Sequence, residues 1–195
     1  MPFDMDVPSG GGNSGPFIQW QAKESMDGSM PGRSWSIRDA SGKKPFDGFA
    51  RGVIMDIDAI RTGWCYSTGA SGVAPEWLWN ASVKQFAPQP PARAGDARWQ
   101  RGFSIPLAYG PENVAAWEQA QAGAWSAFVA LVGLLKAATI TPGQLPVVKH
   151  DGVEKIESKR GVTFAPKLAI VKWVPRPPIL SAAPQVDAGG DDWTA

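Results

Sequence analysis

The chain has one cysteine, one histidine, two tyrosines and no long apolar run, and each shortage closes off a class of chemistry. Cys65 alone permits no internal disulfide, which points to a reducing compartment. His150 alone leaves His-based metal cages and Cys–His or Ser–His–Asp catalysis little to draw on. Beside Asp151-Gly152 it reads as a surface residue of a turn. The most apolar stretch, Ala124–Leu135, is about half the ~20 residues that a bilayer span needs. The acidic opening Met1-Pro2-Phe3-Asp4-Met5-Asp6 is unlike a secretion signal. No glycine-rich run leads into the Lys-Ser/Thr of a phosphate loop. The expectation is a cytoplasmic, non-catalytic protein with no cofactor, no metal site and no membrane partner.

What the chain does have is tryptophan, ten of them, with 22 glycines and 18 prolines that suit many turns. Net charge is only +1, so no global basic field announces a polyanion. Its distribution is more telling. Residues 181–195 hold three acids and no base, which leaves 19 bases and 15 acids on the rest, a body of +4. Three regions follow: a flexible segment 1–15, a domain 16–180, and a disordered acidic tail 181–195.

Within the domain, Phe17–Ala22 and Ser34–Asp39 read as an N-terminal hairpin. Val53, Met55, Ile57 and Ala59 alternate with Ile54, Asp56 and Asp58, the period of a half-buried strand. Ile60–Ser67 and Arg98–Leu107 are further strands, separated by a Gly- and Pro-rich excursion over 69–97. A helix is expected from Pro111 to Ala138, with proline at its first position and Glu112 in its first turn. Val114, Trp117, Trp125, Phe128, Val132 and Leu135 form its apolar stripe. Leu145–His150 and Pro166–Val174 close the domain, with turns at 150–152 and 158–161 between them. The order strand, strand, strand, helix, strand, strand predicts a mainly β, OB-fold-like barrel, its long helix between the third and fourth barrel strands.

The tryptophans keep company with cations: Arg61 near Trp64, Arg98 and Arg101 around Trp99, Lys172 and Arg176 around Trp173. Trp99, Arg101 and Phe103 are successive residues of one strand face. An arginine between two aromatics suits a platform that stacks bases and neutralises phosphates, the alternative being an arginine that snorkels at a barrel end. Trp77 and Trp79, read as loop residues, either reach a bound strand or cap the barrel. Asp56 and Asp58, two apart on a strand, face one side and have the spacing for a magnesium ion, against the plainer reading of a solvated face.

The segments Asp56–Trp64, Trp99–Leu107, the helix and Leu168–Pro178, followed by Asp187, Asp191, Asp192 and Trp193, resemble phage- and prophage-encoded single-stranded DNA-binding proteins of the OB-fold type. The resemblance implies largely sequence-independent binding of single-stranded DNA in phage replication or recombination, inside the bacterial cell. It also implies that the acidic tail recruits replication or recombination enzymes, although here the chain ends Trp193-Thr194-Ala195 rather than on an aromatic. Trp64, Trp99, Phe103 and Trp173 would stack bases, with Trp77 and Trp79 beside them. Arg61, Arg101, Lys149, Lys172 and Arg176 would meet phosphates. A homodimer is a further expected partner. Competing readings are a phage structural or assembly protein and a magnesium-dependent nuclease using Asp56 and Asp58.

Overall fold

A computed structural model of the chain describes residues 15–25, 28–68, 73–95, 97–158 and 161–181. The protein is mainly β. The described residues form ten strands, β1 (Phe17–Gln21), β2 (Ser34–Asp39), β3 (Gly42–Pro45), β4 (Val53–Met55), β5 (Arg61–Tyr66), β6 (Glu76–Trp79), β7 (Trp99–Ala108), β8 (Val114–Gln119), β9 (Gln144–Ser158) and β10 (Gly161–Pro175). The helices are α1 (Gly48–Arg51), α2 (Ala122–Ala137) and α3 (Pro178–Ser181). The strands form one sheet in the order β10-β9-β4-β7-β8-β1-β2-β3, with β5 and β6 branching from β7.

Ten-residue β7 organises this sheet. Its first half pairs with β5, its last two residues pair with β4, and its other edge pairs with β8. Asp56 makes the break between β4 and β5. Its carboxylate accepts the Asp58 amide and starts a short 3-10 turn, Ile57–Ala59. The strand expected over 53–59 therefore stops at Met55.

β1 pairs antiparallel with β2 as the expected N-terminal hairpin, and β2 turns at Asp39–Gly42 into β3. There the Asp39 carboxylate takes the Ser41 amide at 2.8 Å and Gly42 adopts φ 113°, which a side chain would disfavour. β1 then lies parallel to β8. Beyond the last paired residue, the Gln119 amide replaces the ladder by bonding both the N–H and the C=O of Trp20, each at 2.8 Å. With β1 on that edge, no ladder joins β8 to β10 among the described residues, so the sheet is open. A side-chain link crosses the opening: the Trp20 indole donates to the Phe164 carbonyl at 2.8 Å.

The helix is shorter than the expected Pro111–Ala138. Val114–Gln119 is strand β8, with Ala115, Trp117 and Gln119 buried, and Pro111 and Glu112 sit in the β7–β8 turn closed by the Tyr109 amide on the Asn113 carbonyl. An apolar spacing that fits a helix stripe is also filled by a strand, and the free edge of β7 decides between them. α2 spans about 24 Å rather than about 40 Å. Its Ala124, Ala127, Phe128, Leu131 and Leu135 are buried in the main core with Ile18, Trp20, Trp35, Phe49, Phe103, Ile105, Leu107, Trp117 and Val148. A smaller cluster of Ala108, Leu145 and Leu180 seats α3.

Two turn assignments also change. β9 runs through 150–152, bending at Gly152 (φ 96°), and His150 is a half-buried strand residue edge-on to Trp20 at 5.4 Å. Trp77 and Trp79 belong to β6, not to a loop. No described helix is long and apolar enough to cross a membrane.

Candidate nucleic-acid interface

The expected aromatic and basic residues divide between the two faces of the β5–β7 ladder. Directly opposed residues share a face, so register assigns them. Thr62 opposes Phe103, Trp64 opposes Arg101, and Tyr66 opposes Trp99, all on the inner face through which Phe103 enters the core. Arg61 opposes Ser104, Gly63 opposes Gly102, and Cys65 opposes Gln100, all facing outward. β6 adds Trp79 opposite Gly63 and Trp77 opposite Cys65.

On the inner face the expected platform is covered. Trp64, Trp99 and Phe103 are 7%, 6% and 0% exposed. Phe103 stacks on Phe128 at 4.5 Å and meets Trp117 edge-on. The segment between β6 and β7 lies over the other two. Phe86 meets Trp64 edge-on at 5.3 Å, the Trp64 indole donates to the Ala87 carbonyl, and the Trp99 indole donates to the Pro91 carbonyl. Arg93 lies over Tyr66 and Trp99 while gripping Glu76 with two bonds of 2.7 and 2.8 Å. Arg101 is exposed, its guanidinium 5.3 Å from Phe86 and 5.8 Å from Trp64, the geometry of a snorkelling side chain. In this conformation Trp64, Trp99 and Phe103 offer a base almost no surface.

On the outer face three residues form an open stack. Gly63 and Gly102 leave a bare patch of backbone, and a Cβ on Gly102 would lie 2.5 Å from the Trp77 ring. The Trp77 indole fills that space. Trp79 stacks on it at 4.5 Å with planes 4° apart, and the Arg61 guanidinium lies 4.3 Å over Trp79. Trp77 is buried, Trp79 half-buried and Arg61 exposed, so the stack rises from backbone to solvent. Neither indole N–H has an acceptor among the described residues.

Glu118 stands opposite Ser104 on the same face. Burial pushes its carboxyl above the ordinary range, while the Ser104 hydrogen bond and Arg61 pull it back. Burial lowers the Arg61 guanidinium from its ordinary value, and Glu118 opposes that shift. Cys65 lies beneath, its thiol pushed up to about 12 by burial, and so is no nucleophile at neutral pH.

The outer face continues with Phe17, Gln19 and Gln21 on β1, each half-buried, and with Arg38 and Lys43 on the hairpin, Lys43 donating to Gln21.

The remaining expected contacts scatter. Arg176 donates to both oxygens of Asp56, which is 1% exposed, and also to Asp58. The two aspartates therefore share one guanidinium, and the cation that a nuclease would need between them is an arginine. No group of three His, Cys, Asp or Glu side chains with metal-site geometry occurs among the described residues. Lys149 is half-buried against Gly52 on β9, and Lys172 is exposed on β10. Trp173, the next residue, points to the opposite side and lines an open groove with Leu134, Ala137, Leu168 and Ile170. Asp187, Asp191, Asp192 and Trp193 lie outside the described residues.

Sequence reasoning missed the glycine pair beneath the stack. Gly63 and Gly102 inside strand patterns were the available signal, because such a glycine marks a close approach. No family model, curated protein or solved structure matches the chain.

Proposed function

We propose that the protein is a non-catalytic, OB-fold-like single-stranded DNA-binding protein whose strand runs across the outer sheet face. The observation that carries this reading is the open stack Arg61–Trp79–Trp77 on the bare Gly63–Gly102 backbone. Its guanidinium lies over an indole at 4.3 Å on an exposed side chain, able to stack with a base and to meet a phosphate. Arg38, Lys43 and Phe17 extend the same mixture of cations and ring surface.

The strand order supports the barrel assignment. Taking β4 and β5 as one interrupted strand, β10-β9-β4/β5-β7-β8 gives the five-strand neighbour order of an OB barrel, with α2 between its third and fourth strands. In this reading β1 occupies the edge where closure would occur.

Because the interface is small and weakly basic, its contacts are stacking with a few phosphate pairs, not a broad electrostatic field. Tryptophan emission titrated with oligo(dT) tests the reading. Quenching that saturates, weakens with salt, and is much weaker with a duplex of equal length is expected. Equal binding of duplex, or no binding at low salt, would refute it.

A further inference from the structure

Far from the stack in sequence, a second guanidinium lies on a ring at the surface. Arg33 is exposed, and its Cζ stands 3.9 Å over the half-buried Phe164 ring. The two residues border an open groove of about 430 Å³ whose other walls are Ala22, Lys23, Glu24 and Gly32. Glu24 is its one acid against two bases. Arg33 and Lys23 make no ion pair with a carboxylate among the described residues, whereas Arg51, Arg93 and Arg176 each hold one.

Arg33 is also the described non-glycine residue with positive φ, 58°. An arginine in the left-handed region is strained, and an exposed cation–π contact offsets that strain at best. Stability alone would favour glycine there. Gly32 next door cannot exchange roles with it, since a Cβ on Gly32 would lie 2.9 Å from the Glu24 nitrogen.

Phe164 itself is fixed: its carbonyl takes the Trp20 indole and lies against Gly123. Gly123 is three residues from Ala120, whose Cβ lies beside Gly102 next to the Trp77 ring, so a stretch of at most about 11 Å joins the backbone behind Phe164 to the backbone beneath the stack.

Resting on the single-strand reading, we infer that the Lys23–Arg33–Phe164 groove is a second nucleotide subsite of the same interface. A base stacks on the outward side of the Arg33 guanidinium, and Lys23 meets the adjoining phosphate. Together with Arg61–Trp79 it makes a two-point grip.

Arg33→Gly separates this role from a structural one. Glycine accepts φ 58° without strain, so the variant keeps or gains melting temperature, yet its affinity for oligo(dT) should fall roughly tenfold. Lys23→Gln, on an exposed side, should fold normally and lower the salt slope by about 0.7. In addition, oligo(dT) carrying 5-iodouracil, cross-linked by light and mapped by mass spectrometry, should label peptides containing Arg33 or Phe164. If the wild type binds oligo(dT) but Arg33→Gly binds it equally well, the subsite is overturned and the single-strand reading stands. If the wild type does not bind oligo(dT), both fall. A lower melting temperature with unchanged affinity in Arg33→Gly would make the cation–π pair structural and overturn the subsite as well.

Discussion

The two faces of the β5–β7 ladder carry the same residue types to opposite ends. Inward, Trp64 and Trp99 sit under a covering segment with Arg101 reaching past it to solvent, and the indole N–H groups are spent on the Ala87 and Pro91 carbonyls. Outward, Trp77 and Trp79 stack with Arg61 above them and their indole N–H groups unspent. An arginine beside a tryptophan is thus not by itself a binding signature. The difference lies in what covers the pair: the 86–93 segment on one side, the exposed Arg61 side chain above a half-buried Trp79 on the other.

Cations show the contrast most strongly, and the largest expected effect is there. Arg176→Ala strips a nearly buried Asp56 of its counter-charge and should destabilise the fold by about 3–5 kcal/mol in denaturant titration. A loss below about 1 kcal/mol would mean that the triad is a surface pair. Trp64→Ala comes next, a core truncation of about 3–5 kcal/mol at most, less where the covering segment can settle inward. Where the variant is still folded, its affinity for oligo(dT) should equal that of the wild type. Weakened binding by folded Trp64→Ala would place the inner face in the interface after all.

Trp79→Ala should do the reverse: little change in stability, with binding weakened by about 1–3 kcal/mol. Comparable losses in Trp64→Ala and Trp79→Ala, measured by both assays, would erase the distinction between the faces. Arg61→Gln is smaller again, lowering the slope of log affinity against log salt by about 0.7 for one phosphate contact.

Much of the strand pattern was legible, because a period of two needs only the residues themselves. Phe17–Ala22, Ser34–Asp39, Ile60–Ser67 and Arg98–Leu107 all fall on or within a residue or two of strands. Face membership was legible too: Trp99, Arg101 and Phe103 do share a side. Which side meets water was not, since it depends on Phe86 and Pro91 folding back across Trp64 and Trp99 from a segment without periodicity. The helix start failed for a related reason. Val114 and Trp117 satisfy a helix stripe, and only pairing with β7, a non-local fact, makes them a strand. Arg176 was read as a phosphate contact because its partner, Asp56, lies 120 residues away. His150 was read from its Asp-Gly neighbours, whereas Trp20 and Trp35 hold it.

Glu118 offers the finest cut through the comparison, because it is the acid that faces Arg61 on the outer side. Burial raises its pKa above the ordinary 4.5, so the folded protein binds its proton more tightly than the unfolded chain does. Whatever stability this confers is complete below pH 4.5 and declines as pH rises through the raised value, where a buried carboxylate must ionise. Glu118→Gln keeps a partner for Ser104 and removes the charge. Its melting temperature should match that of the wild type in acid and exceed it progressively toward neutral pH. Binding should move the same way: without a carboxylate beside Arg61, oligo(dT) should bind the variant more tightly at neutral pH, most clearly at low salt. A stability gain that is equal at all pH values would assign the effect to packing rather than ionisation. A stability gain with no change in affinity would remove Arg61 and its side of the sheet from the strand's path.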